Sequence, residues 1–162
     1  MRVLTVLVAL AVALAVPAHA DDGRLDWPLR PRPAVMRAFD APTLKWQPGH
    51  RGVDLAAQAG QPVFAAQAGT VVFAGELAGR PLVSVAHAGG LRTTYEPVRA
   101  SVRAGQAIGA GAVLGEVVAG HAGCGSAACL HWGAMWGPAS RADYVDPLGM
   151  LAETVIRLKP LR

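Results

Sequence analysis

Between Phe39 and Asp146 the chain alternates short apolar runs with turn-forming residues: GVDLAA, PVFAA, GTVVFAG, LVSVAHA, LRTTY, AVLGEVVAG and CLHWGAM. Each run is bounded by Gly, Pro or Arg, and most are rich in valine. Short runs of this kind between turn signals predict many short strands and an all-β domain. No stretch before Pro147 sustains a helical period. Asp146-Pro147 then reads as an N-cap followed by proline at the first helical position. Leu148, Leu151, Val155 and Leu158 follow at roughly helical spacing and predict a short C-terminal helix.

The first residues follow a different pattern. Met1-Arg2 precedes an apolar run of 14 residues, Val3 to Val16, and then PAHA. A basic start, a short apolar run and small residues at Ala18 and Ala20 predict a secretory signal peptide cleaved before Asp21. The run falls short of the about 20 residues a membrane span needs, and Pro17 argues against an uncleaved anchor. Asp21 to Pro33 ends in RPRP and reads as an extended leader outside the core. The pattern therefore divides the chain into a signal peptide (1–20), an extended leader or linker (21–38), a β domain (39–150) and a C-terminal helix or tail (151–162). Export predicts a location outside the cytoplasmic membrane, in the cell envelope, with no stable membrane insertion after cleavage. Within the β region AGQPV at Ala59 to Val63 echoes AGQAI at Ala104 to Ile108. The echo fits either a duplicated half-domain or chance in an Ala/Gly-rich chain.

Composition adds a modest basic excess. After loss of the signal, 14 basic residues face 11 acidic ones, a net charge of +3. Of the 15 basic residues in the full chain all but Lys45 and Lys159 are arginine, a side chain suited to paired hydrogen bonds with carboxylates and phosphates. No basic run is interleaved with aromatics, so nucleic acid is not an expected partner. A solvated surface is the expected use of most of these arginines. Cys124 and Cys129 are the only cysteines. In an oxidising compartment they read first as a disulfide closing a small loop, with a thiolate metal site as the competing reading.

The chemistry gathers at two places. In CLHWG, Cys129 and His131 share one strand face while Leu130 and Trp132 share the other. By itself that is either a pair of metal-capable groups or a core histidine beside a small cysteine. In GHRGVDLAA, from Gly49 to Ala57, His50 and Asp54 lie four apart, with Gly52 leaving room between them. Imidazole and carboxylate both suit zinc. His50, Asp54 and His131 together make three protein ligands and leave a fourth tetrahedral position open for water, the form of a catalytic site.

These stretches, with QPVFAAQAGTVVFAG, VSVAHAGGLRTTY and VRAGQAIGAGAVLGEV, resemble in order and spacing the lysostaphin-like, LytM-type zinc endopeptidases of bacterial cell walls. The resemblance runs from about Gly49 to Pro147. It implies a compact antiparallel β-core with a groove, one Zn2+ per chain, and hydrolysis of peptidoglycan peptides. It carries His50, Asp54 and His131 over as the metal ligands. Two positions depart from the family pattern: Pro97 stands where its Tyr-x-His has histidine, and Cys129 replaces the first histidine of its His-x-His. Those two histidines are the ones the family uses to position water and stabilise the tetrahedral intermediate. Substitutes for them are His121, in the loop the expected disulfide folds toward the site, and Tyr95, as a hydrogen-bond donor to an oxyanion. Glu96 follows as a further candidate, and His87 reads as structural. Two readings result: a peptidase with a remodelled base, and an impaired relative that binds wall peptides or a partner hydrolase through its zinc groove. A lipoyl-type carrier is disfavoured, because neither lysine lies in the repeated part.

Overall fold

The computed structural model describes residues 23–152 apart from residue 45. The expected signal peptide, and the helical spacing beyond Ala152, lie outside the described residues. Among the described residues eleven strands form: β1 (Val35–Arg37), β2 (Val53–Ala57), β3 (Pro62–Phe64), β4 (Gly69–Leu77), β5 (Arg80–Ala86), β6 (Leu91–Glu96), β7 (Val98–Ala100), β8 (Ala107–Ile108), β9 (Val113–Val117), β10 (Ala128–Trp136) and β11 (Asp143–Val145). The large sheet has the order β1-β2-β10-β6-β5-β4-β8, with β11 pairing the far end of β10. The small sheet is β3-β9-β7. Every pairing between these strands is antiparallel. The all-β antiparallel reading holds.

The period of two sets the large sheet's faces. Leu55, Val83, Val85, Tyr95, Leu130 and Trp132 are fully buried and share a core with Val63, Leu114, Val98 and Val117 of the small sheet. The alternate residues, Asp54, Ser84, Arg92, Thr94, Glu96 and His131, come out on the opposite face. That face carries a groove of about 730 Å³. The core of one sheet surface thus fixes what the other surface can present.

Three local readings change. The leader is extended but is not outside the core: Leu25 and Leu29 are fully buried. Leu25 forms a parallel bridge with Leu151, and Phe64 N–H donates to Pro28 O at 2.9 Å. Two isolated leucines among charges and prolines have no period to announce them. The C-terminal helix is a single 3-10 turn within the described residues, Pro147–Met150. Asp146 caps it as expected, accepting from Leu148 N–H at 2.9 Å, but Leu151 is already extended because its backbone pairs with the leader. The AGQ echo is a repeated turn. Gln61 and Gln106 each accept a hydrogen bond three residues back, from Gln58 N–H and Arg103 N–H, beside glycines at φ +81° and +84°. The strands that follow, β3 and β8, belong to different sheets, so the echo marks shared turn chemistry rather than a duplicated half.

Candidate metal centre

β2 and β10 are neighbours, and their register sets Asp54 directly opposite His131. His50 arrives from outside the strand: a bend at Arg51 and Gly52 precedes β2, and His50 is held by a backbone bridge to Asp40. His50 Nε2 and His131 Nδ1 each lie 2.9 Å from Asp54 Oδ1, and 3.1 Å from each other. Gly52 is required here, since a Cβ would sit 2.6 Å from His131 Nε2 and 2.6 Å from Trp132 O. His50 Nδ1 donates to Ala38 O at 2.7 Å, which turns the Nε2 lone pair toward the cluster.

These donors fit a metal ion. Two imidazoles and a carboxylate converge with all three ligand atoms within 4.8 Å of one another. Asp54 is 1% exposed, and its Oδ2 has no hydrogen-bond partner among the described residues. A buried carboxylate oxygen left unpaired is costly unless a cation meets it. Burial alone raises the Asp54 pKa. The hydrogen bond from His131 and the fields of His121, His50 and His131 outweigh burial and lower it from 3.8 to about 2. The site therefore holds an anion ready for a cation.

A third imidazole completes the cluster. His121 Nε2 lies 3.1 Å from Asp54 Oδ1, with a side chain 17% exposed and its ring centroid 5.9 Å from that of His131. It lies three residues before Cys124, in the segment that leads into the loop closed by the Cys124–Cys129 disulfide, whose Cα atoms are 5.8 Å apart. Cys129 is a β10 residue two positions before His131, and Cys124 N–H donates back to His121 O at 3.4 Å. The loop is thereby fastened to the strand that carries His131. The thiolate-site reading falls, because both sulfurs are bonded to each other.

Not every candidate reaches the groove. Tyr95 is a correction: it is fully buried on the core face, where Ala66 N–H and Thr93 Oγ1 donate to its hydroxyl at 3.0 and 2.9 Å. Burial pushes its phenol pKa up, so it stays protonated. Alternation along β6 sends Tyr95 inward with Thr93 and sends its neighbours out. Pro97 is buried, and Cys129 is fully buried in the disulfide. His87 is structural as expected, donating from Nδ1 to Ala68 O at 2.9 Å and lying 2.7 Å from Thr93 Oγ1. Glu96 does line the groove, opposite His131 in register and paired with Arg80 at 3.0 Å. Arg37, Arg51, Arg80 and Arg92 also line it. The sequence reading missed these arginines; for Arg92, alternation in LRTTYE was the available signal.

This chain belongs to peptidase family M23, whose family model matches residues 48–147. An uncharacterized protein of Mycobacterium tuberculosis is 70% identical over 147 residues, which cover 91% of this chain and 59% of that protein. The chain thus spans about 59% of the length of the curated relatives it matches. Among solved structures, Helicobacter pylori Csd3 superposes with a TM-score of 0.64 at 26% identity, over 85% of this chain and 37% of that one. The catalytic domain of lysostaphin from Staphylococcus simulans shares the fold, with a TM-score of 0.56 at 24% identity over 69% of this chain and 88% of that one.

Proposed function

We propose that this protein is a zinc-dependent endopeptidase that hydrolyses peptide bonds of cell-wall peptidoglycan outside the cytoplasmic membrane. His50, Asp54 and His131 would hold the ion, and His121 would serve as the general base. The observation that carries the reading is the approach of His121 Nε2 to 3.1 Å from Asp54 Oδ1. It supplies an imidazole at the centre where Pro97 and Cys129 supply none. When bound, zinc provides a Lewis acid and lowers the pKa of a coordinated water toward about 7. The chain's own residues do the rest. Ala38 O fixes the His50 tautomer and ring. Asp54 keeps its charge. His121 takes a proton at Nε2 from the attacking water and returns it to the leaving amine. Glu96, on the strand beside His131, faces the groove where the substrate backbone would lie.

The test is zinc content and cleavage of purified peptidoglycan by the purified protein, with released peptides read by mass spectrometry. Zinc near one per chain and zinc-dependent cleavage are expected. His131→Ala should lose most of the metal. His121→Ala should keep the metal and lose about 10²-fold or more in turnover. Full turnover in His121→Ala removes it as base and brings Glu96 forward. Zinc-dependent binding of peptidoglycan without any cleavage sinks the enzyme reading and supports the impaired relative, one that binds wall peptides or a partner hydrolase.

A further inference from the structure

The groove holds more positive charge than the centre accounts for. Arg37, Arg51, Arg80 and Arg92 line it, and among the described residues Glu96 is the only acidic one that does. Glu96 is already paired with Arg80. Arg51 donates to Gln47 O at 3.2 Å and lies over the Tyr144 ring at 5.8 Å. Arg37 and Arg92 have no carboxylate partner among the described residues. Arg92 is also half-buried, in the middle of the large sheet between Ala86 and Met135. Partly burying a guanidinium without an anion costs free energy, and that cost is recovered when an anion binds.

Resting on the peptidase reading, we infer that the groove selects an extended peptide with free carboxylates, one met by Arg92 away from the metal centre and one met by Arg37 beside it. On β6, Arg92, Thr94 and Glu96 lie in a row on the groove face. At about 3.4 Å per residue, Arg92 stands about 14 Å along the strand from Glu96 and the His131 level. A peptide running along that row reaches Arg92 about four residues from the bond at the centre. Arg37 is in register with Asp54 and so marks the level of the centre itself. Each guanidinium can take a carboxylate through two parallel N–H donors. The groove wall on the other side of the β6 row, toward β5 and β4, is apolar at Leu82 and Phe73, with Met135 opposite Arg92, and suits small aliphatic side chains. A uniform polyanion such as a sulfated glycan would meet that apolar stretch with nothing to pair its charge.

The probe is a fluorescein-labelled pentapeptide of alternating alanine and glutamate, compared with its glutamine counterpart. Binding to the zinc-loaded protein is read by anisotropy. The glutamate peptide is expected to bind at least tenfold more tightly. Arg92→Gln should cut that preference to threefold or less with an unchanged circular dichroism spectrum, and Arg37→Gln should also weaken it. Arg103→Gln, at a turn outside the groove, should leave the preference intact. Equal binding of the two peptides, or an undiminished preference in Arg92→Gln, overturns the inference. So does displacement of the peptide by dextran sulfate with no preference between glutamate and glutamine. Because the readout is binding, the two ideas fail separately. A protein that binds selectively and never cleaves defeats the endopeptidase reading alone, and one that cleaves without preference defeats this inference alone.

Discussion

Asp54 is the residue on which three histidines converge, and its ionisation can be followed without metal. Its folded pKa, about 2, lies below the ordinary 3.8. The stability it contributes is therefore complete above about pH 4 and is lost as pH falls through about 2. In metal-free protein the gap in urea midpoint between wild type and Asp54→Asn should shrink steadily from pH 4 to pH 2. A gap that stays constant would show that Asp54 is not held as a charged group. Tyr95 gives the opposite kind of test. Its hydroxyl accepts from Ala66 N–H inside the core. Tyr95→Phe leaves that donor unpaired, so it should cost about 1–3 kcal/mol of stability while turnover per folded molecule is unchanged. Loss of turnover at full stability would restore it as an oxyanion donor. The grouping of His50, Asp54 and His131 was legible from the spacing in GHRGVD and the alternation in CLHWG, although His50 lies before β2 and owes its place to a bend rather than to strand alternation. Tyr95 was misplaced for lack of one fact: which face of LRTTYE meets the core.

The loop closed by Cys124 and Cys129 acts as an anchor for the segment just before it, which has no strand or helix to place His121. The bridge spans a sequence separation of 5. Loop-closure entropy at that length stabilises the fold by about 2 kcal/mol. Its local effect should be larger. Replacing both cysteines by serine should leave zinc content near one per chain and lower turnover toward that of His121→Ala, because the imidazole is no longer fastened beside Asp54. If turnover survives, the loop is held by other contacts. The pairing of the cysteines was readable from their spacing and from the expectation of export. Where the loop would carry His121 was a sequence expectation without geometry, and only the register of β10 against β2 settles where the anchor at Cys129 sits. Seven strands, β2 to β6, β9 and β10, were plain, since their runs lie between Gly, Pro or Arg; the two- and three-residue strands β1, β7, β8 and β11 were not. The leader was not, because burial of Leu25 and Leu29 depends on partners at Leu151 and Phe64 far along the sequence.

At the scale of the whole molecule, one sheet separates two environments. Its inner face is sealed by the small sheet and the leader, and its outer face is free to carry charge and ligands. The bridge between Leu25 and Leu151 has a mechanical side. Leu25 N–H donates to Met150 O at 2.8 Å and Ala152 N–H donates to Leu25 O at 2.9 Å. The two segments run parallel, so tension applied at residue 23 and at residue 152 pulls them in opposite directions along their common axis. Both hydrogen bonds then share the load in shear, instead of opening one after the other like a zip. Ala152 is exposed, so Ala152→Pro removes one of these bonds with little change to the core. Under an optical trap that variant should yield at a lower force than wild type. An equal yield force would place the resistance in the sheet itself. With the clamp intact, the segments that hold His50, Asp54 and His131 feel the pull only after the two ends have slipped past each other.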